Sequence, residues 1–216
     1  MYKYILFDLD GTLIDTSEGI IYSVKEALKR LNVEVTDMQS LKQFIGPPLK
    51  ATFKQLYGMS DEQANIATAT FREIYAADAL YQCLPYEGIF EVLKYLKEHG
   101  HEIFVATSKP TIFAKKILEK YNLDSYFKDI VGSELDNTRS SKREVIEYII
   151  STHQIADKQN MLMIGDKCHD LIGAQQCNID ALGVTYGYGT VEELTNEKHV
   201  AIVNAPHDIS RFLGEA

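Results

Sequence analysis

Cysteine is scarce in this 216-residue sequence: only Cys83, Cys168 and Cys177. An odd number with no CxxC pair does not resemble a disulfide scaffold or a zinc site. The adjacency of Cys168 and His169 invites a metal reading, but the second ligand pair such a site needs is missing. Long apolar runs are also lacking, and no stretch approaches the ~20 residues of a membrane span. The first apolar run, Tyr4 to Leu9, gives way to acids without a cleavage-site pattern, so no secretory leader is expected. Positive charge is in deficit, with 22 Lys and Arg against 31 Asp and Glu, a net charge of −9 and a pI near 5.2. That balance argues against broad binding to nucleic acid or anionic membrane. Repeats and low-complexity segments are absent. What is present, 45% hydrophobic and 25% charged residues, suits a reduced, soluble, cytoplasmic globular protein. An acidic protein can still bind phosphate where a metal ion and a few donors offset the charge locally.

The hydrophobic pattern divides the chain. Tyr4 to Phe7 is a fully apolar run, the mark of a strand buried on both faces. From Ser17 to Leu31, Ile20, Val24, Leu28 and Leu31 recur at helical spacing, with Ser17 as the candidate N-cap. Helical patterning continues to about Leu80, interrupted at Gly46-Pro47-Pro48 and Gly58-Met59-Ser60. The aromatic stripe of Tyr22, Phe53, Tyr57, Phe71 and Tyr75 reads most simply as the core of this block. Beyond Pro85, strands and helices alternate. Strands are expected at His101 to Ala106, Ile130-Val131, Met161 to Ile164, Ala181 to Thr185 and Val200 to Val203. Helices are expected at Ile89 to His99, Pro110 to Tyr121, Ser141 to Thr152 and Leu171 to Cys177. The fold class that follows is α/β, a Rossmann-like parallel-sheet core formed by residues 1–15 and 82–216. Residues 16–81 form a helical domain inserted after the first strand.

In open α/β sheets, ligands bind beyond the carboxyl ends of the strands, and the unusual polar residues fall there. Asp8 and Asp10 end the first strand, with Gly11 permitting a turn; Thr107 and Ser108 end the second core strand; Asp166 follows Gly165, and Asp170 lies one helical turn on. On an extended chain Asp8 and Asp10 point to the same face and repel, so a cation or proton must separate them. Mg²⁺, which takes hard oxygen ligands, suits that position. The competing reading is a solvated Asp-Gly turn. Thr107 and Ser108 could bind a phosphoryl oxygen or serve as an ordinary N-cap. Lys142 opens a helix between these elements, with Arg143 as the competing cation.

The order of these motifs resembles the haloacid dehalogenase superfamily over nearly the whole chain. The DxDGT motif stands as Asp8-Leu9-Asp10-Gly11-Thr12, the strand-ending hydroxyl as Thr107-Ser108 followed by Lys109-Pro110, the lysine as Lys142, and GDxxxD as Gly165 to Asp170. The resemblance implies a Mg²⁺-dependent phosphatase of small phosphate monoesters. Asp8 would be the nucleophile that forms an aspartyl-phosphate, and Asp10 the general acid and base. Thr107 and Lys142 would hold the phosphoryl oxygens, with Gly11, Thr12, Ser108 and Lys109 around them. The metal would be held by Asp8, the Asp10 backbone carbonyl, Asp166 and Asp170. The insertion resembles a type-one cap, and Phe44 to Leu49, with Gly46 and Pro47, resembles the substrate-facing cap loop of phosphoglycolate phosphatase-like members. Phosphoglycolate is therefore the first expected substrate, a 5′-nucleotide the next, and pyrophosphate is within reach of relatives with this cap. A β-phosphoglucomutase-like mutase and a phospho-accepting receiver domain are the alternatives. His169 has no role that Asp10 does not already fill. A monomer or weak homodimer is expected.

Overall fold

The structure, a computed structural model, describes residues 2–35, 37–136 and 138–214. The chain divides into two compact units, Met1–Ile14 with Pro85–Ala216, and Asp15–Leu84. Two short strands, β2 (Ile14–Asp15) and β3 (Leu84–Pro85), pair where the chain passes from one unit to the other.

The larger unit is built on six parallel strands: β1 (Tyr4–Phe7), β4 (Glu102–Pro110), β5 (Asp129–Ser133), β6 (Met161–Gly165), β7 (Asp180–Val184) and β8 (Ala201–Val203). Their order is β5-β4-β1-β6-β7-β8. The chain builds outward from β1 on one side, then returns to build outward on the other, so β1 lies at the switch point where such sheets form their crevice. Strand parity sets the packing. Leu6, Phe104, Ala106, Met161 and Met163 share one buried cluster with Val145, Ile146 and Ile149 of α6 (Lys142–Thr152) and Leu171, Ala174 and Cys177 of α7 (Cys168–Cys177). The alternate residues Ile5, Phe7, Ile103, Val105, Leu162 and Ile164 are equally buried. Burial on both faces is why these strands read as continuous apolar runs. The remaining helices of this unit are α4 (Ile89–Glu98), α5 (Thr111–Lys120), α8 (Val191–Thr195) and α9 (Pro206–Gly214). The last two were not expected from the sequence, and α7 starts three residues before the Leu171 expected.

The smaller unit is helical: α1 (Ser17–Arg30), a 3₁₀ turn at Gln39–Phe44, α2 (Leu49–Tyr57), α3 (Asp61–Ile74) and a π-helical turn at Tyr75–Ala79. Ile20, Val24 and Leu28 of α1, Phe53 of α2 and Ala64, Ala67 and Phe71 of α3 are buried. Phe44 packs on Phe53 with ring centroids 4.7 Å apart, and Phe71 stacks on Tyr75 at 5.4 Å. Two expectations need correction. Tyr22 is 40% exposed and is not core. Ser17 is the first helical residue rather than the cap; the Asp15 carboxylate accepts from its backbone N–H and hydroxyl at 3.0 and 2.6 Å.

Candidate active site

Register brings the polar groups together. Phe7 pairs with Val105 on one side and Ile164 on the other, and the Asp8 N–H continues the ladder to the Ile164 carbonyl at 2.9 Å. The residues that follow Phe7, Val105 and Ile164 are therefore level, which gathers Asp8, Thr107 and Asp166 at one edge of the sheet, on three adjacent chain segments. The parity that sends Leu6 into the core under α6 and α7 aims Asp8 the same way, one step beyond the strand.

That direction meets Lys142, the first residue of α6. Its buried ammonium lies 2.6 Å from Asp8 Oδ1 and 2.8 Å from Asp170 Oδ1, and donates to the Ala106 carbonyl at 2.6 Å. Arg143, the competing cation, is exposed and pairs with Glu147 at 2.8 Å. Helix α6 begins where it does because Ser141 forms a capping box: its hydroxyl accepts from the Glu144 N–H, and the Glu144 carboxylate accepts from the Ser141 N–H.

Asp10 behaves differently from the expectation of an extended Asp8-Leu9-Asp10 with both carboxylates on one face. The strand ends at Phe7, and the Leu9 carbonyl accepts from the N–H groups of Thr12, Leu13 and Ile14, forming a tight turn. Gly11 serves that turn at φ +86°, and a Cβ there would lie 2.3 Å from Asp166 Oδ2. The turn directs Asp10 to a second buried lysine, Lys109, whose ammonium lies 3.1 Å from Asp10 Oδ1. Two lysines, one for each acid, answer the repulsion between them. Lys109 reaches this position because β4 continues to Pro110 rather than ending at Ala106.

Among the described residues, Asp8, Asp166 and Asp170 place carboxylate oxygens within 4.8 Å of one another, all buried. The Asp10 carboxylate is not one of this group. Asp166 is held at both oxygens: the Thr12 hydroxyl donates to Oδ1 at 3.3 Å and the Tyr188 N–H to Oδ2 at 2.8 Å. Burial pushes the Asp8 carboxyl up to about 7; Lys142 pulls the other way, and Asp170 and Asp10 add to the rise. Asp166 is pushed up to about 8 by burial, then by Asp170 and Asp8. Burial works against the charged form of Lys142, but Asp170 and Asp8 outweigh it and hold the ammonium above its ordinary value. Three buried carboxylates against this one ammonium leave two negative charges, which is what one divalent cation supplies, and oxygen donors suit a hard ion. The residues thus fit a bound Mg²⁺.

The other expected residues are distributed as follows. Thr107 is buried at the end region of β4, and its hydroxyl accepts from the Lys109 N–H at 3.2 Å. Ser108 is half-buried, and its carbonyl accepts from the Ser133 hydroxyl at 2.9 Å. Gly46 and Pro47 belong to the helical unit, between the 3₁₀ turn and α2. His169 is exposed, with Nδ1 3.7 Å from the Cys168 thiol. The contribution of Tyr188 was not legible, because a backbone N–H leaves no signature in residue type.

Residues 5–184 match the haloacid dehalogenase-like hydrolase family. Over 193 residues the chain is 45% identical to a 5′-nucleotidase of Pseudomonas aeruginosa, covering 89% of this chain and 87% of that protein. It is 27% identical to a phosphoglycolate phosphatase of Colwellia psychrerythraea, covering 89% and 88%. A crystal structure described as that of a predicted phosphatase from Clostridium acetobutylicum superposes with a TM-score of 0.96 at 42% identity, covering 100% of both chains. With the parallel sheet and its strand-end acids, these likenesses place the chain in the haloacid dehalogenase-like hydrolase family, as a phosphatase of that family.

Proposed function

We propose that the protein is a Mg²⁺-dependent phosphatase of small phosphate monoesters that works through an aspartyl-phosphate on Asp8. The observation that carries this reading is the Lys142 ammonium bridging Asp8 and Asp170 at 2.6 and 2.8 Å, beside Asp166. Asp8, Asp166 and Asp170 would hold the metal, with the Asp10 backbone carbonyl as the further ligand implied by the family resemblance. Bound there, Mg²⁺ supplies positive charge to the phosphoryl oxygens and favours the ionised form of Asp8. The Asp8 carboxylate attacks phosphorus in line, the bond to the leaving oxygen breaks, and Asp10 gives that oxygen its proton. Asp10 then takes a proton from the water that attacks the acyl phosphate, which releases inorganic phosphate and regenerates Asp8. Lys142 offsets the charge that develops on the phosphoryl group, and Thr107 and Ser108 supply donors at the end of β4. Gly11, Thr12 and Lys109 shape the floor on which Asp8 and Asp10 are carried. The inserted unit is the cap, and Gly46 and Pro47 are its substrate-selecting loop.

For the substrate, identity of 45% to a 5′-nucleotidase supports a nucleoside 5′-monophosphate ahead of phosphoglycolate, whose phosphatase is 27% identical. The loop from Phe44 to Leu49 is what keeps phosphoglycolate second. The test is phosphate release from nucleoside 5′-monophosphates, phosphoglycolate and pyrophosphate, with Mg²⁺ or EDTA, by wild type and Asp8→Asn. Metal-dependent release that falls at least ~10³-fold in the variant is expected. Metal-independent release, or an active Asp8→Asn, would remove the mechanism; release of an isomeric ester in place of phosphate would make the protein a mutase.

A further inference from the structure

The segment after β7 touches the acidic cluster and its supports repeatedly. The Tyr188 N–H holds Asp166 Oδ2, while Thr12 holds Oδ1. The Tyr186 phenol in turn donates to the Thr12 carbonyl at 3.0 Å, and its ring meets Tyr86 edge-on with centroids 5.0 Å apart. Gly189 passes so close that a Cβ would come within 1.8 Å of the Asp166 carbonyl oxygen. At the start of α8, the Glu193 carboxylate accepts from the Cys168 N–H at 3.1 Å through Oε1 and from the Thr190 N–H at 3.1 Å through Oε2. Cys168 opens α7, and Asp170 follows two residues later. Asp166 is thereby tied directly to residues 186–193, and the first turn of α7, which carries Asp170, is tied to them through Cys168.

We propose that residues 186–193 are a clasp that aims Asp166 and Asp170 at a divalent cation, with Tyr186 and Glu193 as positioning residues. The inference rests on the cation reading above. Two buried carboxylates that repel each other turn apart unless other groups fix their rotamers. Here the fixing groups are a backbone N–H, the hydroxyl of a threonine whose backbone carbonyl accepts from a phenol, and a helix start anchored by a carboxylate. Groups that orient metal ligands typically change affinity by about 10–100-fold when removed.

The test is titration of the metal-free protein with Mn²⁺ and Mg²⁺, by calorimetry and by the electron paramagnetic resonance of Mn²⁺. Wild type would be compared with Tyr186→Phe, Glu193→Ala and Glu193→Gln, and each protein melted in EDTA. Tyr186→Phe and Glu193→Ala are expected to bind roughly tenfold more weakly. Glu193→Gln can keep one oxygen that accepts from Cys168 but turns its NH2 to the Thr190 N–H, and is expected to bind more tightly than Glu193→Ala and less tightly than wild type. Tyr186→Phe should melt in EDTA close to wild type, which separates aim from folding. Wild-type affinity in both disrupted variants overturns the clasp, as does a loss that Glu193→Gln shares in full. A wild type that binds neither ion overturns the cation reading itself, and the clasp with it.

Discussion

At the scale of residues, the site is an arrangement of two acids with two lysines. Asp8 has Lys142 and Asp10 has Lys109, at 2.6 and 3.1 Å, so neighbours in sequence are divided between two cations. The division gives each acid its own partner, which matches the different tasks proposed for them, Asp8 as nucleophile and Asp10 as proton carrier. Removing one partner of a buried ion pair costs far more than the pair is worth, because it leaves a charge unmatched. Lys142→Met would leave Asp8 and Asp170 without their shared ammonium, a loss of about 3–5 kcal/mol in EDTA. Urea unfolding would show it, and Mg²⁺ should restore part of the loss because it supplies charge to the same oxygens. Turnover should fall about 100-fold or more even with saturating Mg²⁺, since metal does not replace the ammonium on the phosphoryl group. Unchanged unfolding would mean that Lys142 does not balance the cluster.

At the scale of elements, the proposed active residues stand in the first turn of a helix or just past the end of a strand, with Thr107 inside β4, so element boundaries decide which groups meet. Lys142 is the first residue of α6, and the Ser141–Glu144 box sets that start. Ser141→Ala should destabilise the protein by about 1 kcal/mol, measured as a lower urea midpoint. It should also reduce kcat a few-fold while KM changes little, because Lys142 is displaced at its root. Boundaries were also the least legible feature. Polar Thr107, Ser108 and Lys109 before Pro110 read as the end of a strand and the approach to a helix. β4 instead continues to Pro110, pairing with Ser133 across a register shift, and this carries Lys109 to Asp10. No residue type announces a pairing partner twenty-three residues away.

At the scale of the molecule, the cluster links stability to pH and metal. Asp8 and Asp166 sit near 7 and 8 in the fold against an ordinary 3.8, so the fold binds their protons more tightly than the unfolded chain does. The stability those two protons contribute is complete below about pH 4 and is lost as pH rises through 7 to 8. Mg²⁺ competes with the same protons and gains its full advantage once they have left. The rise in Tm on adding Mg²⁺ should therefore be small at pH 6 and grow towards pH 8.5, by differential scanning fluorimetry against EDTA controls. An increment that is flat with pH would separate the metal from these carboxyls.

The sequence by itself determined the α/β class, and it proposed an inserted helical segment and Asp8, Asp10, Lys142, Asp166 and Asp170 as the groups of interest. Most of these rest on local signals: apolar runs buried on both faces, helical periodicity, and acids placed where strands end; only the family resemblance singles out Lys142 over Arg143. Tertiary structure alone decided the pairings. It brought Lys142 to Asp8 and Asp170, brought Lys109 to Asp10, left the Asp10 carboxylate out of the cluster of Asp8, Asp166 and Asp170, and set the Tyr188 N–H against Asp166. The reason is physical. Which charge neutralises which depends on register, strand length and the turn after Phe7, and these follow from packing the whole sheet rather than from any stretch of chain.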